Sequence, residues 1–96
     1  MNQADFTKAD LLEADFCGAS GQATLFRKAT LTRARFTGAD LQGADFSHAH
    51  CWGADFRAAN LQNTDFTGAV LIAADFTGAQ LAGANFSAAQ LSAIPA

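Results

Sequence analysis

Phenylalanine stands at Phe6, Phe16, Phe26, Phe36, Phe46, Phe56, Phe66, Phe76 and Phe86, one every ten residues along nearly the whole chain. Midway between them come Leu11, Leu31, Leu41, Leu61, Leu71, Leu81 and Leu91, with Gly21 and Cys51 as departures, so the underlying repeat is five residues long. Two residues before each large side chain is an alanine, replaced only at Thr24 and Thr64. Each repeat therefore reads small, polar, large, polar, polar. On an α-helix a five-residue step advances the side chain by about 500°, so successive large residues would scatter around the axis and no apolar face would form. In an extended segment the alanine and the large residue point to the same side, and the residue between them points out. The remaining two residues must turn the chain. A short extended segment and a corner, repeated every five residues, build a solenoid in which each coil rests on its neighbours.

The wording of the repeats carries a specific resemblance. Stretches such as ADLQGADF from Ala39 and ADFTGAQLAGANF from Ala74 resemble the A(D/N)Lxx consensus of the pentapeptide-repeat family. The resemblance covers residues 4 to about 93 and implies an all-β fold, a right-handed quadrilateral β-helix with four repeats per coil. One domain of 96 residues, half of them apolar, then holds about five coils. The implied interval of 20 residues sorts the large side chains into columns. Phe6, Phe26, Phe46, Phe66 and Phe86 fall in one, Phe16, Phe36, Phe56 and Phe76 in the opposite one, and leucines fill the two between. At the β-type spacing of about 4.8 Å, aromatic rings in a column can stack.

Functional information must lie on the outward positions. All eight aspartates, Asp5, Asp10, Asp15, Asp40, Asp45, Asp55, Asp65 and Asp75, sit between the small and the large residue. Beside a corner, such a side chain bonds nearby backbone N–H groups, which is the structural reading. Rows of carboxylates that imitate duplex phosphates are the functional one, implied by resemblance to family members that bind DNA gyrase and confer quinolone resistance. Neighbouring charges oppose mimicry: Arg35 falls between Asp15 and Asp55, and Arg33 beside Glu13. Lys8, Lys28 and His48 share a corner column with Arg27 alongside, a basic corner that a DNA mimic would not be expected to carry. Elsewhere, Leu12, Thr32, Trp52, Ile72 and Ser92 follow the large residue on one face, with Val70 adjoining. Leu12, Trp52, Val70 and Ile72 form a candidate partner surface, since Trp is enriched at binding hot spots. Incidental exposure, or cover by an adjacent segment, is the alternative.

Other chemistries find little support. His48, His50 and Cys51 lie close in sequence, but Cys51 takes an inward position while both imidazoles point out, so the three do not converge as metal ligands must. Cys17 and Cys51 belong to different faces and are expected to be free thiols. No phosphate loop, nucleophile elbow or zinc-protease motif is present, and no catalytic, cofactor or metal residues are assigned. The net charge of −3 argues against direct nucleic-acid binding. No apolar run is long enough to span a membrane, and the start lacks the regions of a secretory signal, so a cytoplasmic location is expected. Gly21 removes one large residue and is expected to leave a small void or to flatten the first coil. With no cap encoded at either end, end-to-end self-association, or membership of a longer protein, is expected. The resulting expectation is a non-enzymatic interaction or scaffold module for a protein partner not identified, with a gyrase- or topoisomerase-binding DNA mimic as the alternative.

Overall fold

The computed structural model describes residues 1–92. The stretch after Ser92, including the end of the repeat run and the bare C-terminal end read from the sequence, lies outside the described residues. Parallel β-bridges link residues 20 apart throughout, from Asp5 with Leu25 to Val70 with Gln90, so each coil contains four repeats. Coils 1 to 4 are residues 1–20, 21–40, 41–60 and 61–80, and residues 81–92 begin a fifth.

Three backbone bonds per repeat join the coils. The Phe26 N–H donates to the Asp45 carbonyl one coil on (2.7 Å), the Lys28 N–H donates to the Ser47 carbonyl (3.0 Å), and the Leu25 N–H donates back to the Ala4 carbonyl (2.8 Å). A fourth bond closes the corner, from the Ala29 N–H to the Phe26 carbonyl at 3.1 Å. Only the third residue of each such turn has positive φ, which defines type II geometry. Every fifth residue from Gln3 to Ala88 adopts it, eleven non-glycine residues near +60° and seven glycines near +70°. Glycine suits that place because it lacks the Cβ that penalises left-handed backbone.

The core is an aromatic spine. Rings within a column stack at 4.8–5.4 Å with interplanar angles of 4–12°. Across the axis the two columns meet edge to face at 5.5–6.0 Å. Offset stacking within a column and edge-on contact between columns are the two arrangements that the ring quadrupole favours. Phe26, Phe36, Phe46, Phe56 and Phe66 are fully buried, with Leu31, Leu41, Leu61 and Cys51 beside them. Phe6, Phe16, Phe76 and Phe86 in the outer coils are half-buried.

Two expectations are corrected at the N-terminal side. The Ala4 N–H bonds the Met1 carbonyl (3.1 Å) and Gln3 has φ +61°, so Met1 takes the large position ahead of a regular corner and the repeat pattern already holds before Ala4. The void expected at Gly21 is absent. Met1 belongs to the same inner column, and its unbranched thioether bends over Gly21, so that a Cβ there would meet Met1 Cε at 2.9 Å and Leu41 Cδ2 at 3.0 Å. Thr24, in the alanine column, donates its hydroxyl to the Met1 carbonyl (2.9 Å), and Thr64 donates to the Leu61 carbonyl (2.8 Å), so both buried hydroxyls are bonded.

Candidate interaction surface

The acidic outer positions are tied into the corners. In each of the eight aspartates Oδ1 accepts the N–H of the residue two positions on, as in Asp5 with Thr7 (2.9 Å) and Asp65 with Thr67 (2.8 Å). Asn60 and Asn85 make the same bond. The peptide that leads into the turn, between its first and second residues, is thereby anchored, which explains why one short polar residue type recurs at this place.

Arginines cover several of the outward carboxylate oxygens. Arg33 Nε lies 3.2 Å from Glu13 Oε2, Arg35 Nη1 3.2 Å from Asp15 Oδ2, and Arg57 Nη2 2.7 Å from Asp55 Oδ2. Arg57 Nε also reaches Asp75 at 4.0 Å, and Arg27 Nε stands 3.8 Å from Asp45. Hydrogen bonding from the Arg57 side chain holds the Asp55 carboxyl down at about 2, outweighing its partial burial. The Thr77 hydroxyl and amide hold Asp75 below the usual carboxylate range. Arg35 thus pairs with Asp15, while Asp55 is taken by the arginine of its own corner.

The apolar surface is arranged less continuously than its residue types suggest. Trp52 is 46% exposed and Leu12 50%, whereas Val70 and Ile72 are half-buried. Trp52 and Ile72 occupy successive coils of one column, and Val70 lies against His50 through a backbone bridge. Leu12 is two coils away with Thr32 between, so it does not join them.

The basic corner is a groove. Thr7, Lys8, Arg27, Lys28, Ser47 and His48 line an open concavity of about 420 Å³. Lys8, Lys28 and His48 hold the positive-φ place of three stacked turns, and the His48 ring lies over Gly68, where a Cβ would stand 2.5 Å from Nδ1. Neither lysine has a carboxylate within 4 Å among the described residues. The sequence supplied all four charged or titratable residues of this groove. Thr7 and Ser47 complete its lining, brought there by the stacking of coils. Cys17 is exposed and Cys51 lies in the core, where burial pushes its thiol up to about 12.

Four flat sides, a type II corner every fifth residue and an aromatic interior define a four-sided β-solenoid. The chain belongs to the pentapeptide repeat family: the family model for pentapeptide repeats matches in eight copies over residues 1–20, 22–50 and 49–87. Its fold is accordingly the right-handed quadrilateral β-helix. Among solved structures, a pentapeptide repeat protein of the Arabidopsis thaliana thylakoid lumen is similar at 35% identity and a TM-score of 0.91, covering 97% of this chain and 65% of its own. Rfr23 of the cyanobacterium Cyanothece 51142 has a TM-score of 0.91 at 22% identity, covering 95% and 63%, a likeness of fold alone. QnrB1, a plasmid-mediated fluoroquinolone resistance protein, aligns at 28% identity over 96% of this chain and 62% of its own, but with a TM-score of only 0.30. The chain spans less than two thirds of the length of each of these proteins. No curated protein matches it.

Proposed function

We propose that this chain is a non-enzymatic interaction or scaffold module that binds a protein partner in the cytoplasm through the face carrying Trp52. The observation that carries the reading is the exposure of Trp52, the sole tryptophan, on a surface whose neighbours Val70 and Ile72 are also apolar. Inner columns and corner carboxylates are committed to the fold, so recognition falls to outward side chains that the coil does not need. An indole offers a large contact area with few rotatable bonds, the kind of anchor that dominates binding energies. A photo-crosslinking residue placed at Thr32 or Ile72 should give discrete partner adducts in cells, absent for the same residue at Gln62 and lost in Trp52→Ala. Equal adducts from Thr32, Ile72 and Gln62 would refute the assignment of this face.

The gyrase-binding alternative draws on the net charge of −3. Against it, each aspartate Oδ1 is engaged by a turn amide and four arginines stand among the outward carboxylates, which interrupts any phosphate-like row. A supercoiling assay with purified gyrase and titrated protein tests it directly, with no inhibition or drug protection expected.

A further inference from the structure

Elsewhere on the surface the cationic side chains meet carboxylates: Arg33 faces Glu13, Arg35 faces Asp15, and Arg57 lies between Asp55 and Asp75. The groove at the basic corner breaks that rule. Lys8 and Lys28 are stacked one coil apart, about 4.8 Å at the backbone, and Arg27 adjoins Lys28 in the same groove. Arg27 leans toward Asp45 at 3.8 Å, and Asp5 and Asp10 stand on the sides flanking Lys8, so carboxylates are near but none reaches either ammonium. At the level of Lys28 the flanking positions that elsewhere hold aspartate are Leu25 and Thr30, which removes the local counter-charge. Ser47 is a further departure. Thr67, Thr77 and Ser87 turn their hydroxyls onto the Asp or Asn two residues earlier, at 2.6–2.7 Å, while the Ser47 hydroxyl makes no such bond to Asp45 and remains available in the groove.

We propose that Lys8, Lys28 and Ser47, bordered by Arg27 and His48, form a binding site for the phosphoryl group of a small soluble phosphorylated molecule. Two ammonium groups carried on backbones about 4.8 Å apart can each donate to one compact tetrahedral oxyanion at charge-assisted distances of about 2.8 Å. A dianionic phosphoryl group neutralises both lysines from a single seat. An extended acidic peptide fits less well, because its same-side carboxylates repeat at about 6.8 Å, out of step with the coils. The groove volume of about 420 Å³ suits a ligand of metabolite size. The site is separate from the Trp52 face, and the two assignments can fail independently.

Inorganic pyrophosphate is the probe. Titrated into 15N-labelled protein at constant ionic strength, it should give saturable amide shifts confined to residues 7–8, 27–28 and 47–48. Lys8→Gln with Lys28→Gln should weaken binding by about tenfold or more, whereas Lys28→Arg should keep it. Both lysines are exposed, so an unchanged melting curve is expected to accompany the loss. Shifts that fail to saturate, or that persist in the double variant, overturn the site. Vesicles containing a phosphoinositide distinguish the source of the phosphoryl group. The protein should remain in the supernatant on sedimentation, and lysine-dependent co-sedimentation would overturn assignment to a soluble ligand.

Discussion

Asp55 illustrates how a residue can serve the corner and the surface at once. Its Oδ1 accepts the Arg57 amide at 3.0 Å, and Arg57 grips both carboxylate oxygens. Because its folded-state pKa, about 2, lies below the ordinary 3.8, the stabilisation is present above about pH 4 and lost as pH falls toward 2. Asp55→Asn should flatten the decline of melting temperature across that window, and an unchanged decline would assign acid sensitivity elsewhere. Gly21 shows the reverse case, where reading residue types alone misled. A glycine in a leucine column looks like missing volume, but Met1, which precedes the first alanine of the pattern, belongs to the same column, and its side chain occupies the space. Gly21→Leu should therefore lower the melting temperature or leave it unchanged, since leucine must displace Met1 Cε and crowd Leu41. A clear rise by circular dichroism would show that the thioether fills the site poorly. The two thiols differ as plainly: Cys17 should react with iodoacetamide in the native state and Cys51 only on unfolding, which mass spectrometry reads directly.

At the scale of the element, the five-residue unit was legible because each of its positions has its own physical requirement. Alanine leaves room beside the rings, aspartate anchors the turn amide, and the positive-φ place tolerates glycine or a strained L-residue. The eleven non-glycine residues at that place were not signalled by composition, since Lys8, Glu13 and Arg33 are poor αL formers by type, and stacking between coils holds them there. Ala58→Gly should accordingly raise stability by up to about 1 kcal/mol in denaturant melts, because it relieves left-handed strain in an exposed turn. The aromatic spine gives a steeper test. Phe46 is fully buried between stacked Phe26 and Phe66, whereas Phe6 has a stacked neighbour on one side only. Phe46→Ala should cost about 3–5 kcal/mol and Phe6→Ala clearly less.

For the whole molecule, burial grades along the axis, complete in coils 2 and 3 and partial in coil 1 and beyond residue 72. The sequence made the columns visible, because identical residues recur at fixed intervals. The candidate surfaces were only partly legible, since outward side chains follow no period and their company depends on which coils stack. Leu12 shares the column of Trp52 but stands two coils away with Thr32 between, and Thr7 and Ser47 line the basic groove because the 20-residue interval stacks them with Arg27.

The bridge interval of 20 residues also sets a grammar for length change. Adding or removing 20 residues inserts or deletes one coil and leaves every later side chain on its original side. Adding five residues rotates everything downstream by a quarter turn, which would place phenylalanines over leucines and dismantle both ring stacks. Insertions that keep the ring stacks must therefore come in steps of ten residues, the interval between successive phenylalanines, and only whole coils also keep the outward side chains on their sides, unless the added segment bulges out at a corner without entering the count.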